Sequence, residues 1–221
     1  MLPHRIIMSI YIYLFVLFVC FVAGVYYYKD LTTSLKHLFW LVAITVVVET
    51  IGTYHLKALN QVAEWVFHLY QPFEYYLIAT YFLGIIVSPK IRKVIIISIP
   101  VVVAANIFNF LFVQGPNQLG TYTFLLAAFL FCVWSGAYFF ELFQKVDDLN
   151  QNLSHNPHFW ICTGIIFFYA GTFFQMGFTN IISKNHQEIA QKLYIINHLL
   201  NCILYGMITY GFICQSKYQK L

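Results

Sequence analysis

Residues 6–28 read IIMSIYIYLFVLFVCFVAGVYYY, with no charge between Arg5 and Lys29. An α-helix needs about 20 apolar residues to cross a hydrocarbon core, and this run exceeds that length. It also outruns the apolar core of a signal peptide and lacks a clear small-residue cleavage site, so it is expected to be a first transmembrane helix that is kept. Comparable runs recur along the whole chain. Of 221 residues, 61% are hydrophobic, 20% aromatic and only 9% charged, against about 25% charged in a soluble domain. Mean hydropathy is +0.73. Too few charges are present to coat a water-soluble globule, which excludes a soluble enzyme and a secreted disulfide scaffold. The formal charge of +4 is scattered between hydrophobic segments, with no basic patch of the kind that tracks phosphates, so no nucleic-acid partner is expected. Cys20, Cys132, Cys162, Cys202 and Cys214 all lie in apolar stretches without CxxC spacing. They read as small core residues, not as a zinc ribbon or disulfide framework.

The apolar runs predict an all-α polytopic membrane protein, a single domain over 1–221 with seven transmembrane helices. These fall near Ile6–Tyr28, Leu38–Leu56, Ala63–Val87, Val94–Val113, Tyr122–Phe143, Phe159–Phe178 and Ile189–Ile213. Short polar joints separate them. Ser34 is the expected N-cap of the second helix, and Asn156 followed by Pro157 that of the sixth. Ser88-Pro89 is expected to close the third, and Gln114-Gly115-Pro116-Asn117 to separate the fourth from the fifth. Cytoplasmic loops carry the excess of Lys and Arg. Arg5, Lys57, Lys184 and Lys192 lie on the N-terminal side. Lys29, Lys36, Lys90, Arg92, Lys93, Lys145, Lys217 and Lys220 lie on the other. That asymmetry, four against eight, places the N-terminus outside and the C-terminus in the cytoplasm.

With that topology the strongly polar intramembrane residues collect in the outer half. They are Glu49 and His55 on the second helix, Glu64, His68, Gln71 and Glu74 on the third, Asn106 and Asn109 on the fourth, Gln175 on the sixth, and Asn197, His198 and Asn201 on the seventh. An ionisable group in a membrane costs about 2.5–3.5 kcal/mol and should face the bundle interior or a water-filled cavity. At helical spacing, Glu64, His68, Gln71 and Tyr75 form one stripe with Glu74 on its flank, and Asn197, Asn201 and Tyr205 form another with His198 at its side. Pro72 should kink the third helix and free the carbonyl of His68 as a further acceptor. An outward-opening polar pocket follows, lined by Glu49, His68, Gln71, Glu74, Tyr75, Asn106, Tyr169, Gln175, His198 and Asn201. The plainer alternative is that the amides and histidines only bond across helices, each contributing about 0.6–2 kcal/mol. That alternative suits Asn106, Asn109 and Gln175 best. It suits Glu49 and Glu74 least, because a simpler amide would supply such a bond at lower cost.

Most of the 23 Phe and 17 Tyr are expected to face lipid or form interfacial belts, as at Tyr26–Tyr28 and Tyr210, with Trp160 as an anchor. Gly164 and Gly171, seven apart on one face of the sixth helix, would permit a close helix crossing. A metal site from Glu64, His68, His198 and Glu74 or Glu49 is conceivable, but there is no HExxH and no His pair at i and i+4, so neither metal nor cofactor is expected. No GxSxG elbow occurs. A retinal pump would need a lysine in the middle of the seventh helix, where Asn201 stands.

Val47-Val48-Glu49-Thr50, Phe67-His68-Leu69-Tyr70-Gln71-Pro72-Phe73-Glu74-Tyr75-Tyr76, Phe159-Trp160 with Gly164, Tyr169 and Gly171, and Asn201-Cys202-Ile203-Leu204-Tyr205 together resemble an uncharacterised family of bacterial seven-helix integral membrane proteins. Its members look like stand-alone seven-transmembrane sensory modules and are often encoded near sensor kinases. The resemblance covers nearly the whole chain and implies a receptor-like role, with Glu49, Pro72, Glu74, Gly164, Tyr169 and Asn201 at matching positions. His68 stands where relatives have another polar or aromatic residue. The expected function is a sensor that binds a small ligand from outside and signals to a cytoplasmic or membrane partner, the lipid bilayer being its surround. An intramembrane enzyme acting on a lipid-like substrate through the Glu/His cluster, and a small transporter, are the alternatives.

Overall fold

A computed structural model describes residues 4–59, 64–115, 118, 120–144, 153–182 and 187–218. The chain is all α: α1 (His4–Tyr27), α2 (Thr33–Leu59), α3 (Glu64–Ile85), α4 (Pro89–Phe108), α5 (Thr121–Gln144), α6 (Pro157–Ile182) and α7 (Gln187–Tyr218). Single 3-10 turns occupy Tyr28–Asp30 and Leu153–His155, and α4 runs on into a π-helical turn at Asn109–Val113. Six helices, α1, α2, α4, α5, α6 and α7, are long and apolar enough to cross a membrane, which makes this a multi-pass membrane protein. α3 has the length, 22 residues, but Glu64, His68, Gln71 and Glu74 crowd its first half and lower its apolarity.

Two helices begin more than a full turn earlier than their apolar runs. α2 starts at Thr33 rather than Leu38, because Thr32 caps it: Lys36 N donates to the Thr32 carbonyl at 3.0 Å and Leu35 N to Thr32 Oγ1 at 3.5 Å. Thr32 thus takes the role expected of Ser34. α4 starts at Pro89 rather than Val94, so Ser88-Pro89 opens α4 instead of only closing α3. Proline suits the first helical position, where its missing N–H costs nothing, and Arg92 N donates to the Ser88 carbonyl at 3.0 Å. Asn156 caps α6 as expected: its Oδ1 accepts from His158 N at 2.9 Å and Phe159 N at 3.4 Å, with Pro157 in the first position. The polar stretch 145–152, with Lys145, Asp147-Asp148 and Asn152, lies outside the described residues, as do Pro116, Asn117 and Lys184.

The chain divides into two compact units, Thr32–Ala127 and Met1–Leu31 with Ala128–Leu221. In the first, Val48 of α2 and Val66 of α3 pack with Ile44, Phe67 and Tyr70. The Tyr70 hydroxyl stands 2.7 Å from Thr45 Oγ1. Tyr75 OH donates to Ser98 Oγ at 2.7 Å and joins α3 to α4. α3 continues as one helix through Pro72, which leaves the His68 carbonyl without its helical donor.

In the second unit α7 packs against both α1 and α6. Tyr13, Leu17 and Cys20 of α1 and Leu204, Tyr205, Ile208 and Phe212 of α7 are buried. The close crossing expected at Gly164 and Gly171 is made against α7. A Cβ on Gly164 would stand 3.0 Å from Met207 Cβ, and one on Gly171 2.6 Å from Leu200 Cδ1. Within lipid, where apolar surface gains little by leaving the solvent, such close backbone approach is what van der Waals packing requires. Phe131 of α5 lies edge-on to Tyr169 of α6 at 4.7 Å. All five cysteines are free, with Cys20, Cys162 and Cys214 buried.

Candidate functional site

The polar residues of the Thr32–Ala127 unit meet where α3, α4 and the start of α5 converge. Gln71 is the centre. Its Oε1 accepts from Asn106 Nδ2 at 2.8 Å and lies 2.9 Å from Thr123 Oγ1, while its Nε2 donates to the Gly120 carbonyl at 3.0 Å. Thr123 Oγ1 is also 3.1 Å from that carbonyl and has one proton to give to either acceptor. One turn before Gln71, His68 Nε2 stands 2.6 Å from the Gln118 carbonyl. A carbonyl only accepts, so Nε2 carries the proton. In the neutral ring Nδ1 is then a bare acceptor, buried without a partner among the described residues. Phe110 lies edge-on to the ring at 5.2 Å.

These bonds strap the α4–α5 connection onto α3, and the strap explains why residue 120 is glycine. A Cβ there would stand 2.8 Å from Gln71 Oε1 and 2.9 Å from His68 Cε1. A second polar chain secures the other end of the connection. Asn109 Nδ2 donates to Gln114 Oε1 at 2.8 Å, and Gln114 Nε2 donates to Thr121 Oγ1 at 2.7 Å. The π turn at Asn109–Val113, closed by Gln114 N on the Asn109 carbonyl at 2.9 Å, lies between the two chains. Such turns recur at functional sites. Gly115 follows at φ +66°, in the left-handed region that favours glycine.

Beside the strap, Gln71, Pro72 and Glu74 of α3, Val102 and Asn106 of α4, and Thr123, Phe124 and Ala127 of α5 enclose a small cavity, with room for about one water molecule. A drug-sized ligand fills several hundred Å³, so this conformation is closed to one. Glu74, half-buried, is the ionisable group in the wall. The wall otherwise presents amide, hydroxyl and apolar groups. Glu49 is half-buried on α2, outside this wall, and Tyr75 is buried against Ser98.

Of the ten residues expected to line one pocket, Glu49, His68, Gln71, Glu74, Tyr75 and Asn106 belong to this unit, and Gln71, Glu74 and Asn106 share the cavity wall. Tyr169, Gln175, His198 and Asn201 belong to the other unit. There, Tyr169 and Gln175 are buried in α6. Asn201 Nδ2 donates within α7 to Asn197 Oδ1 at 2.8 Å and to the Asn197 carbonyl at 3.0 Å. His198 Nδ1 lies 2.9 Å from Ser9 Oγ of α1, with its ring stacked on Tyr13 at 5.6 Å and edge-on to Tyr194 at 4.8 Å. This pins α1 to α7. Gln114, Gly120, Thr121, Thr123 and Ser9 were not among the expected site residues. In the sequence Gln114, Gly120 and Thr121 look like turn punctuation, Thr123 falls inside the fifth apolar run, and nothing there pairs Ser9 with His198.

Among the described residues no three His, Cys, Asp or Glu side chains stand together as a metal site. The side chain of Glu64, part of the conceivable metal set, lies outside the described residues. The chain matches no family model, no curated protein and no solved structure.

Proposed function

We propose that this protein is a receptor-like sensor of the cytoplasmic membrane that takes a small cationic or donor-rich ligand from outside at the α3–α4–α5 site and signals to a cytoplasmic or membrane partner. On this reading it crosses the membrane seven times, N-terminus outside and C-terminus in the cytoplasm. α3 is the seventh span: 22 residues at 1.5 Å each reach about 33 Å. Its polar first half is tolerated because α4 and α5 cover it with hydrogen-bonding groups.

The observation that carries the reading is the Glu74 carboxyl, ten residues into α3 and in the wall of a cavity whose other polar groups are the linked Gln71, Asn106 and Thr123. Those neutral groups already bond to one another, so they serve as glue. A carboxyl costing about 2.5–3.5 kcal/mol in the membrane is a dear way to add to that glue. Its chemistry, a negative charge or a proton to exchange, suits a cation or a donor. Because the cavity now holds about one water, binding a larger ligand requires it to widen by displacement among α3, α4 and the start of α5. A ligand that favours the opened state shifts the population toward it, which is the elementary step of a sensor. The eight-to-four asymmetry of basic residues supports the outward direction of the site.

Thermal unfolding in nanodiscs tests it, with methylammonium and choline as probes. Saturable stabilisation of the wild type by either cation is expected. Glu74→Gln, which keeps the shape and most hydrogen bonds, should keep the ligand-free Tm and lose the stabilisation. An equal shift in the variant, or no shift in the wild type, overturns the reading.

A further inference from the structure

We propose that Lys90 and Lys93, with the exposed aliphatic face that follows them on α4, form a docking site for one anionic phospholipid. The first turn of α4 carries Lys90, Arg92 and Lys93, all exposed. At 3.6 residues per turn these three do not share a face. Lys90 and Lys93 lie in line with Val94, Ile97 and Val101, which are 53%, 55% and 56% exposed. Arg92 lies on the opposite side, above the buried Ile95, Val102 and Asn106.

The exposed stripe therefore has two lysines at its head and about 12 Å of bare aliphatic surface along the eight residues to Val101. A phospholipid presents the complement: one phosphate at the interface and acyl chains beneath it. Lysine suits the headgroup end because its methylene stem lies along apolar surface while the ammonium reaches the interface.

Two further observations place this end of the unit at headgroup depth. Ser34, in the first turn of α2, packs against Gly84 near the end of α3, where a Cβ would collide with it. α3 passes to α4 through residues 86–88 alone. Lys36 and Trp40, the latter 52% exposed, are thus held at the same end, and exposed Trp marks the membrane interface. No acid of this unit competes for the lysines. Its acids are Glu49, Glu64 and Glu74, and the nearest to an end of this pole, Glu74, is eleven residues, about 16 Å, from Ile85.

Native mass spectrometry of the full chain released from detergent, with phosphatidylglycerol or phosphatidylcholine added in turn, tests the proposal. Basic residues near an anionic surface contribute about 1 kcal/mol each. The two lysines should favour a single bound phosphatidylglycerol by about thirtyfold, or ~2 kcal/mol at ~1.4 kcal/mol per decade. Lys90→Gln with Lys93→Gln should abolish the preference, the double arginine variant should keep it, and Arg92→Gln, with its own lost charge, should keep it too. Equal loss in Arg92→Gln would show a diffuse field rather than a site. Displacement of the lipid by equimolar glycerol phosphate would show a phosphate site that ignores the acyl chain. Either result, or no preference in the wild type, overturns the proposal.

Discussion

Replacing Gly120 with alanine should cost more than any other single methyl addition at the polar site. The new Cβ would lie 2.8 Å from Gln71 Oε1 and 2.9 Å from His68 Cε1, closer than real Cβ contacts allow. Neither neighbour is a free end. Gln71 is held by Gly120, Asn106 and Thr123, and His68 by the Gln118 carbonyl. To make room, Gln71 must give up its three bonds. Interhelical polar bonds in membranes contribute about 0.6 kcal/mol each, so the loss is about 2 kcal/mol. Gly136, on α5 with nothing within 4 Å of an added Cβ, is the control: Gly136→Ala should be neutral or stabilising by up to about 1 kcal/mol. Reversible unfolding by dodecyl sulfate in bicelles, followed by circular dichroism, measures both. Gln71→Ala loses the same bonds and vacates its side of the space, so Gly120→Ala added to it meets only His68 and should cost less than in the wild type, a non-additivity of up to about 2 kcal/mol. A Gly120→Ala variant within about 0.5 kcal/mol of wild type, or additive costs in the double variant, would refute the strap.

The remaining predictions use the same unfolding assay or simple labelling. Asn156→Ala removes the cap of α6 and should cost about 1 kcal/mol. Gly164→Ala should be worse than Gly171→Ala. The first meets Met207 Cβ and the Leu204 backbone, whereas the nearest atoms to the second are the movable end of the Leu200 side chain. Ser9→Ala should cost about 0.6–1.7 kcal/mol through the lost bond to His198. A cysteine at Gln118 should react with an impermeant thiol reagent added outside, and one at Asn150 should not. Reversed labelling would overturn the orientation.

The apolar runs make the seven helices legible because hydrophobic length is a property of contiguous residues. Asn156-Pro157 and the Gly164/Gly171 pair are legible for the same reason, since capping and close crossing need only local spacing. The starts of α2 and α4 are not, because an apolar window cannot see that Ser34–His37 and Lys90–Lys93 continue a helix into the interface. Ser88-Pro89 was equally ambiguous, since a proline after one helix is also a proline at the start of the next. The polar stripe of α3 was visible, but its partners were not. Gln114, Gly120 and Thr121 read as a turn, and their function as a strap depends on contacts to α3 and on the π turn. Ser9 and His198 are 189 residues apart, and only the packing of α1 on α7 brings them together.

The central claim is that the Glu74 site opens to the outside. With the five native cysteines replaced, a single cysteine at position 74 reports it directly through reaction with a small cationic methanethiosulfonate. The account predicts reaction from the outer face, slowed by methylammonium or choline, and no reaction at position 78, where Ile78 is 2% exposed in the core. Reaction at position 74 only from the cytoplasmic face, or from neither, would contradict it.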